Sequence, residues 1–109
     1  MSANLKSDGA NSVDEPITID AVVTQNVTIC NSRGLHARAA SKFVTVAGKF
    51  DAEITVHRDG TTVSGRSIMG LMMLAAGIGC EIELSAEGLE AEEAVSSLVS
   101  LVEAKFEED

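Results

Sequence analysis

Apolar and polar residues alternate in separate stretches of this chain, and between those stretches lie others whose apolar residues recur every three or four positions. No feature constrains the fold more, because a strand turns successive side chains to opposite faces, whereas a helix gathers every third or fourth one onto a single stripe. Val23–Cys30 sets Val23, Gln25, Val27 and Ile29 on one face and Thr24, Asn26 and Thr28 on the other. Asp51–Arg58 turns Ala52, Ile54 and Val56 one way and Glu53, Thr55 and His57 the other. Cys80–Ser85 opposes Ile82 and Leu84 to Glu81 and Glu83. A further strand is expected over Thr61–Arg66, since Asp59-Gly60 before it suits a two-residue hairpin in which both central residues take positive φ.

The helical spacings fall between these strands. In Ala37–Ala47, the residues Ala40, Phe43, Val44 and Ala47 form a stripe, Ser41, Lys42 and Thr45 face away, and Gly48 fits a C-terminal stop. Ser67–Ala76 is short and rich in methionine, with Ser67 placed to cap it and Gly77 and Gly79 to end it. Leu89–Phe106 carries Ala91, Ala94, Val95, Leu98, Val102 and Phe106 on one stripe. Glu90, Glu92 and Glu93 suit the positive end of that helix dipole, whereas Glu107, Glu108 and Asp109 oppose it and are expected to fray. The order β-α-β-β-α-β-α, with one apolar face per helix and polar outward strand residues, predicts an α+β layer: an antiparallel sheet covered on one side by helices.

A chain of 109 residues suits one core. Residues 1–20, rich in Ser, Asn, Asp and Gly, read as a flexible N-terminal tail, and residues 21–109 as the domain. A formal net charge of −9, with no Trp and no Tyr, argues against a nucleic-acid partner. The charge is uneven: Cys30–Phe50 holds Arg33, Arg38, Lys42 and Lys49 and no acid, while Cys80–Asp109 is strongly acidic with Lys105 as its one base. The basic stretch suits an anionic ligand or an acidic protein partner. The two cysteines, Cys30 and Cys80, match no metal spacing and read as small buried hydrophobes. With neither an apolar signal segment nor a run of roughly 20 apolar residues for a membrane span, the expected location is cytoplasmic.

The chemistry concentrates in Arg33-Gly34-Leu35-His36-Ala37-Arg38. His36 falls where a loop feeds a helix, and the unpaired amides and dipole of a helix start favour an anion and a neutral imidazole. A neutral imidazole has one free nitrogen that can act as a nucleophile. Arg38 offers a planar fork to phosphate oxygens, and Arg33 adds charge nearby. A histidine at a helix start is also an ordinary cap, and His57, outward on a strand beside Arg58, reads as an ordinary exposed residue. The second segment is Gly65-Arg66-Ser67-Ile68-Met69-Gly70. A phosphate on Ser67 would meet the helix dipole and Arg66, and the spacing cannot turn every methionine inward, so some should form an adaptable apolar patch.

Gly34-Leu35-His36-Ala37-Arg38 with Ala39-Ala40, the Asp59-Gly60 hairpin and Arg66-Ser67-Ile68-Met69-Gly70 together resemble HPr, the histidine phosphocarrier of the bacterial phosphoenolpyruvate-dependent phosphotransferase system. The resemblance spans Val23 to Phe106. It implies an open-faced β-sandwich, a four-stranded antiparallel sheet with three helices on one side. It implies that His36 takes a phosphoryl group on Nδ1 from phosphorylated enzyme I and hands it to a IIA-type protein, with Arg38 steadying the phosphate. Ser67 would be a regulatory serine modified by an HPr kinase/phosphorylase, and Arg33, Ile68, Met69 and Met72 would dock the partners. The protein would be a monomeric carrier rather than an enzyme and need no metal or cofactor, phosphoenolpyruvate and Mg²⁺ acting at enzyme I. One departure stands out: the family usually has proline after the arginine, and this chain has Ala39, which keeps an N–H near the phosphate. That departure and the tail tilt the reading toward a regulatory, nitrogen-type system. The rival reading is a binding module switched by phosphorylation of Ser67, with His36 unused. A Ser-His-acid hydrolase lacks its nucleophile elbow, and a zinc site lacks paired ligands.

Overall fold

A computed structural model describes residues 22–108. The expected tail, residues 1–20, lies outside them. The described chain runs β1 (Val22–Thr28), α1 (Ala37–Ala47), β2 (Glu53–Arg58), β3 (Thr61–Ser64), α2 (Ile68–Met73), β4 (Glu81–Glu87) and α3 (Ala91–Glu103), followed by a 3₁₀ turn at Lys105–Glu107. The four strands form one antiparallel sheet in the order β1-β4-β2-β3. Three helices cover one face of it, the architecture expected from the alternation.

β4 and β2 are the two inner strands of the sheet, each paired on both edges. Leu84 faces Gln25 on one side and Val56 on the other, and Ala86 faces Val23 and Ile54. Ile54, Val56, Ile82, Leu84 and Ala86 are buried under the helices. This double pairing extends β4 two residues beyond the predicted end at Ser85. The helices contribute Ala40, Phe43 and Ala47 from α1, Leu71 from α2, and Ala94, Leu98 and Val102 from α3. Asp59 and Gly60 take φ of 55° and 85°, as the hairpin requires.

The ends of elements differ from expectation in instructive ways. Gly48 closes α1 in a right-handed conformation, its N–H donating to Val44 O, so its stop does not use glycine's left-handed freedom. Lys42 does not simply face away: its Nζ donates to Phe106 O at 2.8 Å. Neither Cys30 nor Cys80 is fully buried, and both are free thiols. Cys30 Sγ lies 3.3 Å from Val102 O, and Cys80 Sγ receives Arg58 Nη2 at 3.2 Å.

The largest correction is at the C-terminus. The predicted helix to Phe106 stops at Glu103, and Lys105, Phe106 and Glu107 follow with φ of 58°, 55° and 63°. Left-handed backbone costs an L-residue about 1–2 kcal/mol. Burial offsets that here, because the reversal folds Phe106 wholly into the core. Continued as a helix, the stripe would leave the core, so the chain turns back instead of fraying. Glu107 and Glu108 are thereby held in place; Asp109 lies outside the described residues.

Two glycines separate conformational strain from crowding. A Cβ at Gly34 (φ +65°) would lie 2.5 Å from Ala76 O and 2.8 Å from Gly77 Cα, whereas one at Gly60 (φ +85°) meets nothing within 4 Å. Gly60→Ala should therefore lower the unfolding free energy by only the left-handed cost, ~1–2 kcal/mol. Gly34→Ala should lower it clearly further, because backbone cannot yield as a side-chain tip does. Urea melts of the two variants measure the gap, and equal losses would contradict this packing.

Candidate functional site

The loop from β1 to α1 is tied down on three sides. Ile29 N–H donates to Cys80 O, and Gly79 N–H donates to Ile29 O, both at 2.8 Å, extending the β1–β4 pairing past the strand end. Asn31 then turns the chain: its backbone O accepts from Gly34 N–H, and its Nδ2 donates to Gly34 O at 2.9 Å. Gly34, left-handed and pressed on the Ala76-Gly77 backbone, lets Leu35 N–H reach Ala76 O at 2.9 Å. Leu35 is buried, so the next residue, His36, is fixed as the N-cap of α1.

His36 is partly exposed and makes no side-chain cap bond to its own helix. The first helical bond runs from Ala40 N–H to His36 O, so that among the described residues the amides of Ala37, Arg38 and Ala39 are the orphan donors of a helix start. The ring instead meets the returning C-terminus: Nε2 is hydrogen-bonded to Glu108 Oε2. The other carboxylate oxygen, Oε1, accepts from Asn31 Nδ2 at 3.1 Å. Asn31 is almost wholly buried, and with both amide hydrogens engaged its Oδ1 is left without a partner. Among the described residues, no side chain bonds His36 Nδ1.

Arg33 and Arg38 are exposed beside this network. With Ser32, Lys42, Glu107 and Glu108 they line a cleft of about 380 Å³. His36 does not line it, but Glu108 is shared between cleft and ring. The basic stretch of the sequence thus gathers at one place, and acids from the far end of the chain fold back onto it. Arg33 and Arg38 line the cleft and His36 stands outside it, linked through Glu108; the hydrogen bonds of Glu108 and Asn31 at this place were not anticipated. Phe106 was legible as the last residue of an apolar stripe. Glu108 was not, since its position depends on the reversal that buries Phe106.

The second segment lies on the same side of the fold. Ser67 caps α2, its Oγ accepting from Gly70 N–H at 2.9 Å. Arg66 Nη2 donates to Ala52 O at 2.7 Å and Phe50 O at 3.2 Å. In the six residues of α2 only Leu71 is buried, so Ile68, Met69, Met72 and Met73 are all exposed, Met69 at 72%. The Leu35–Ala76 bond places the His36 loop against the segment that follows this helix. His57 sits on the sheet, its Nδ1 bonded to Thr62 Oγ1, apart from this network. No group of three or more His, Cys, Asp or Glu among the described residues is arranged to hold a metal, and no helix there is long and apolar enough to cross a membrane.

Residues 23–104 match the family model described as PTS HPr component phosphorylation site. The phosphocarrier protein HPr of Pseudomonas aeruginosa is 48% identical over 83 residues, 75% of this chain and 92% of that protein. The phosphocarrier protein NPr of Shewanella violacea is 46% identical over 84 residues, 77% of this chain and 92% of that protein. The crystal structure of HPr from Thermoanaerobacter tengcongensis superposes with a TM-score of 0.77 at 45% identity, covering 80% of this chain and 98% of that one. Both names therefore occur at similar identity.

The hydrogen bond from His36 is the largest influence and holds the Glu108 carboxyl below its ordinary value of 4.5; burial opposes it, and the bond from Asn31 and the nearby charges of His36 and Arg33 add weaker downward pulls. A lowered folded value means that the contact's contribution to stability is present above the ordinary carboxylate range and lost as pH falls through the lowered value. NMR titration of the Glu108 side chain should show a midpoint below 4.5, and His36→Ala should move that midpoint upward. A midpoint indifferent to His36 would contradict the contact.

Proposed function

The chain belongs to the HPr family of the phosphotransferase system, and we propose that His36 is the residue on which this phosphocarrier bears its phosphoryl group. Members of this family carry the group stoichiometrically and do not turn over a substrate of their own. The observation that supports His36 is the combination at one helix start: a ring whose Nδ1 and three following amides have no partner among the described residues, and the guanidinium groups of Arg33 and Arg38 exposed nearby.

The lone pair of His36 Nδ1 attacks the phosphorus of the donor's phosphohistidine in line. The new N–P bond forms as the donor's N–P bond breaks, and the electron pair returns to the donor's nitrogen. Arg38 and the amides at the start of α1 balance charge on the phosphoryl oxygens. Ala39 keeps its N–H among those amides, a donor that a proline there would remove. No metal or cofactor is needed on this chain; phosphoenolpyruvate and Mg²⁺ act at enzyme I, the donor, and a IIA-type protein is the acceptor.

Ile68, Met69 and Met72 form the docking surface with Arg33. Methionine side chains adapt to several partners in turn, and the basic edge suits acidic partner surfaces. A phosphate on Ser67, added by an HPr kinase/phosphorylase, would place about two negative charges at the rim of that surface and weaken docking. The free thiols of Cys30 and Cys80 fit a reducing, cytoplasmic setting, and a small transient docking surface fits a monomer.

Incubation with enzyme I, phosphoenolpyruvate and Mg²⁺ should place acid-labile phosphate on the wild-type chain. His36→Ala should abolish it while the far-ultraviolet circular dichroism is unchanged, and Arg38→Ala should slow it by roughly tenfold or more. Labelling that persists in His36→Ala would overturn the assignment. Ser67→Asp should slow transfer without removing it; transfer at the wild-type rate would remove the regulatory role.

A further inference from the structure

We propose that Arg58, the last residue of β2, is a positioning residue for partner docking: its guanidinium ties the two ends of the loop 74–80 together and so fixes α2 relative to His36. That role rests on the docking surface proposed above and concerns what holds that surface in place beside the ring.

Alternation puts Arg58 on the same face of β2 as the buried Ile54 and Val56, the face that the helices cover, whereas His57 turns outward. A guanidinium at the end of such a row cannot stay in an apolar core, and its long stem lets the head reach polar partners. Arg58 is accordingly half-buried, and its head finds two acceptors. Nη1 donates to Leu74 O at 2.9 Å, and Nη2 donates to Cys80 Sγ at 3.2 Å. One planar fork spans both ends of the loop.

Each end has a use for it. Leu74 is the C-cap of α2, where a helix leaves carbonyl groups unpaired and its dipole negative, so a cation satisfies both. A helix of six residues is too short to hold itself. Ser67 caps its first turn, Leu71 anchors its middle in the core, and Arg58 holds its last carbonyl. At the other end Cys80 leads into β4, and its carbonyl accepts from Ile29 N–H.

Between these ends the loop has little of its own to hold by: four of its five inner residues are Ala or Gly. Ala75 takes a left-handed φ of 52°, a conformation that L-residues resist. Yet this loop is bonded to the chain that carries His36 at two inner points. Ala76 O accepts from Leu35 N–H at 2.9 Å, and Gly79 N–H donates to Ile29 O at 2.8 Å. Arg58 therefore couples the placement of α2 to the placement of the ring. Without it, the end of α2 and the loop shift independently, and the exposed Met69 and Met72 lose their fixed distance from His36. A partner that must seat on the apolar surface and reach the ring at once feels that loss. A small donor that needs only the ring does not.

The test uses the full chain with Arg58→Met, which keeps an apolar stem and removes the donors, and with Arg58→Lys, whose single ammonium cannot span both acceptors. Phosphoryl acceptance is measured with enzyme I and with phosphoramidate, a small P–N donor that needs no docking surface. Arg58→Met should raise KM for enzyme I about tenfold, the scale of one hydrogen bond from a charged donor. It should accept from phosphoramidate at the wild-type rate, and KM of Arg58→Lys should fall between the two. Amide hydrogen exchange in Arg58→Met should quicken at Leu35 and Gly79 and keep its wild-type pattern in β4 around Leu84. A wild-type KM in a folded Arg58→Met chain overturns the positioning role, as does an equal loss with both donors. Exchange quickened evenly across the sheet also overturns it, since Arg58 would then be a general stabiliser. If Arg58→Met does not fold, Arg58→Lys decides alone, and a wild-type KM there overturns the two-point tie. Met69→Ser and Met72→Ser separate the two readings: a wild-type KM for enzyme I in both overturns the docking surface itself, and this role with it.

Discussion

Everything at the working end of this molecule depends on the close approach of Gly34 to the Ala76-Gly77 backbone. The loop after β1 and the segment after α2 are far apart in sequence, yet Leu35 N–H reaches Ala76 O only because nothing but a hydrogen stands on the Gly34 α-carbon. That approach holds His36 at a helix start, and it sets the exposed residues of α2 next to it. A reactive ring and an adaptable apolar surface become neighbours through one backbone contact. Neither would be specific alone: the ring needs a partner seated at a fixed distance, and the patch needs something to present.

The charge distribution acquires a meaning in three dimensions that it lacks along the chain. Arg33, Arg38 and Lys42 come from one stretch of the sequence and the acids Glu107 and Glu108 from its other end, and the fold sets them around one cleft. Acids delivered by the chain itself satisfy some of the positive potential before any phosphate arrives. The remaining cations, Arg33 and Arg38, are exposed, where they can meet a transferred group or a partner's carboxylates. A carrier must release its cargo as readily as it accepts it, so a site only partly supplied with positive charge suits that task better than a deep cationic pocket.

Much of this was legible in the sequence wherever local periodicity and local chemistry agree. The bounds of α1 at Ala37 and Ala47, the Asp59-Gly60 turn and the Ser67 cap are each decided within a few residues, and the sheet follows from alternation plus one hairpin. The motif around His36 was legible because a helix start, a glycine and two arginines converge within six positions. What was not legible depends on distant partners. β4 outruns its predicted end because strands on both sides continue to pair with it. Arg66 reaches carbonyl groups at Phe50 and Ala52, which only the fold brings near. The end of α3 was misread because dipole and charge arguments, applied locally, counsel fraying. Burial of one phenylalanine outweighs them and carries Glu108 to the histidine.

The sheet sets the two ends of the described chain apart. β1 enters at Val22, opposite Glu87, and leaves at Thr28, opposite Glu81, toward the loop that holds His36. Seven strand residues at about 3.3 Å each separate those points by roughly 20 Å. Glu108, at the other end of the described chain, lies by contrast on the His36 ring itself. The molecule is therefore polar in an engineering sense: it has a handle at one end and a contact at the other. A fluorophore on Glu87, opposite Val22, would stand at the far end of the sheet from His36, while the same group on Glu108 would press on the ring.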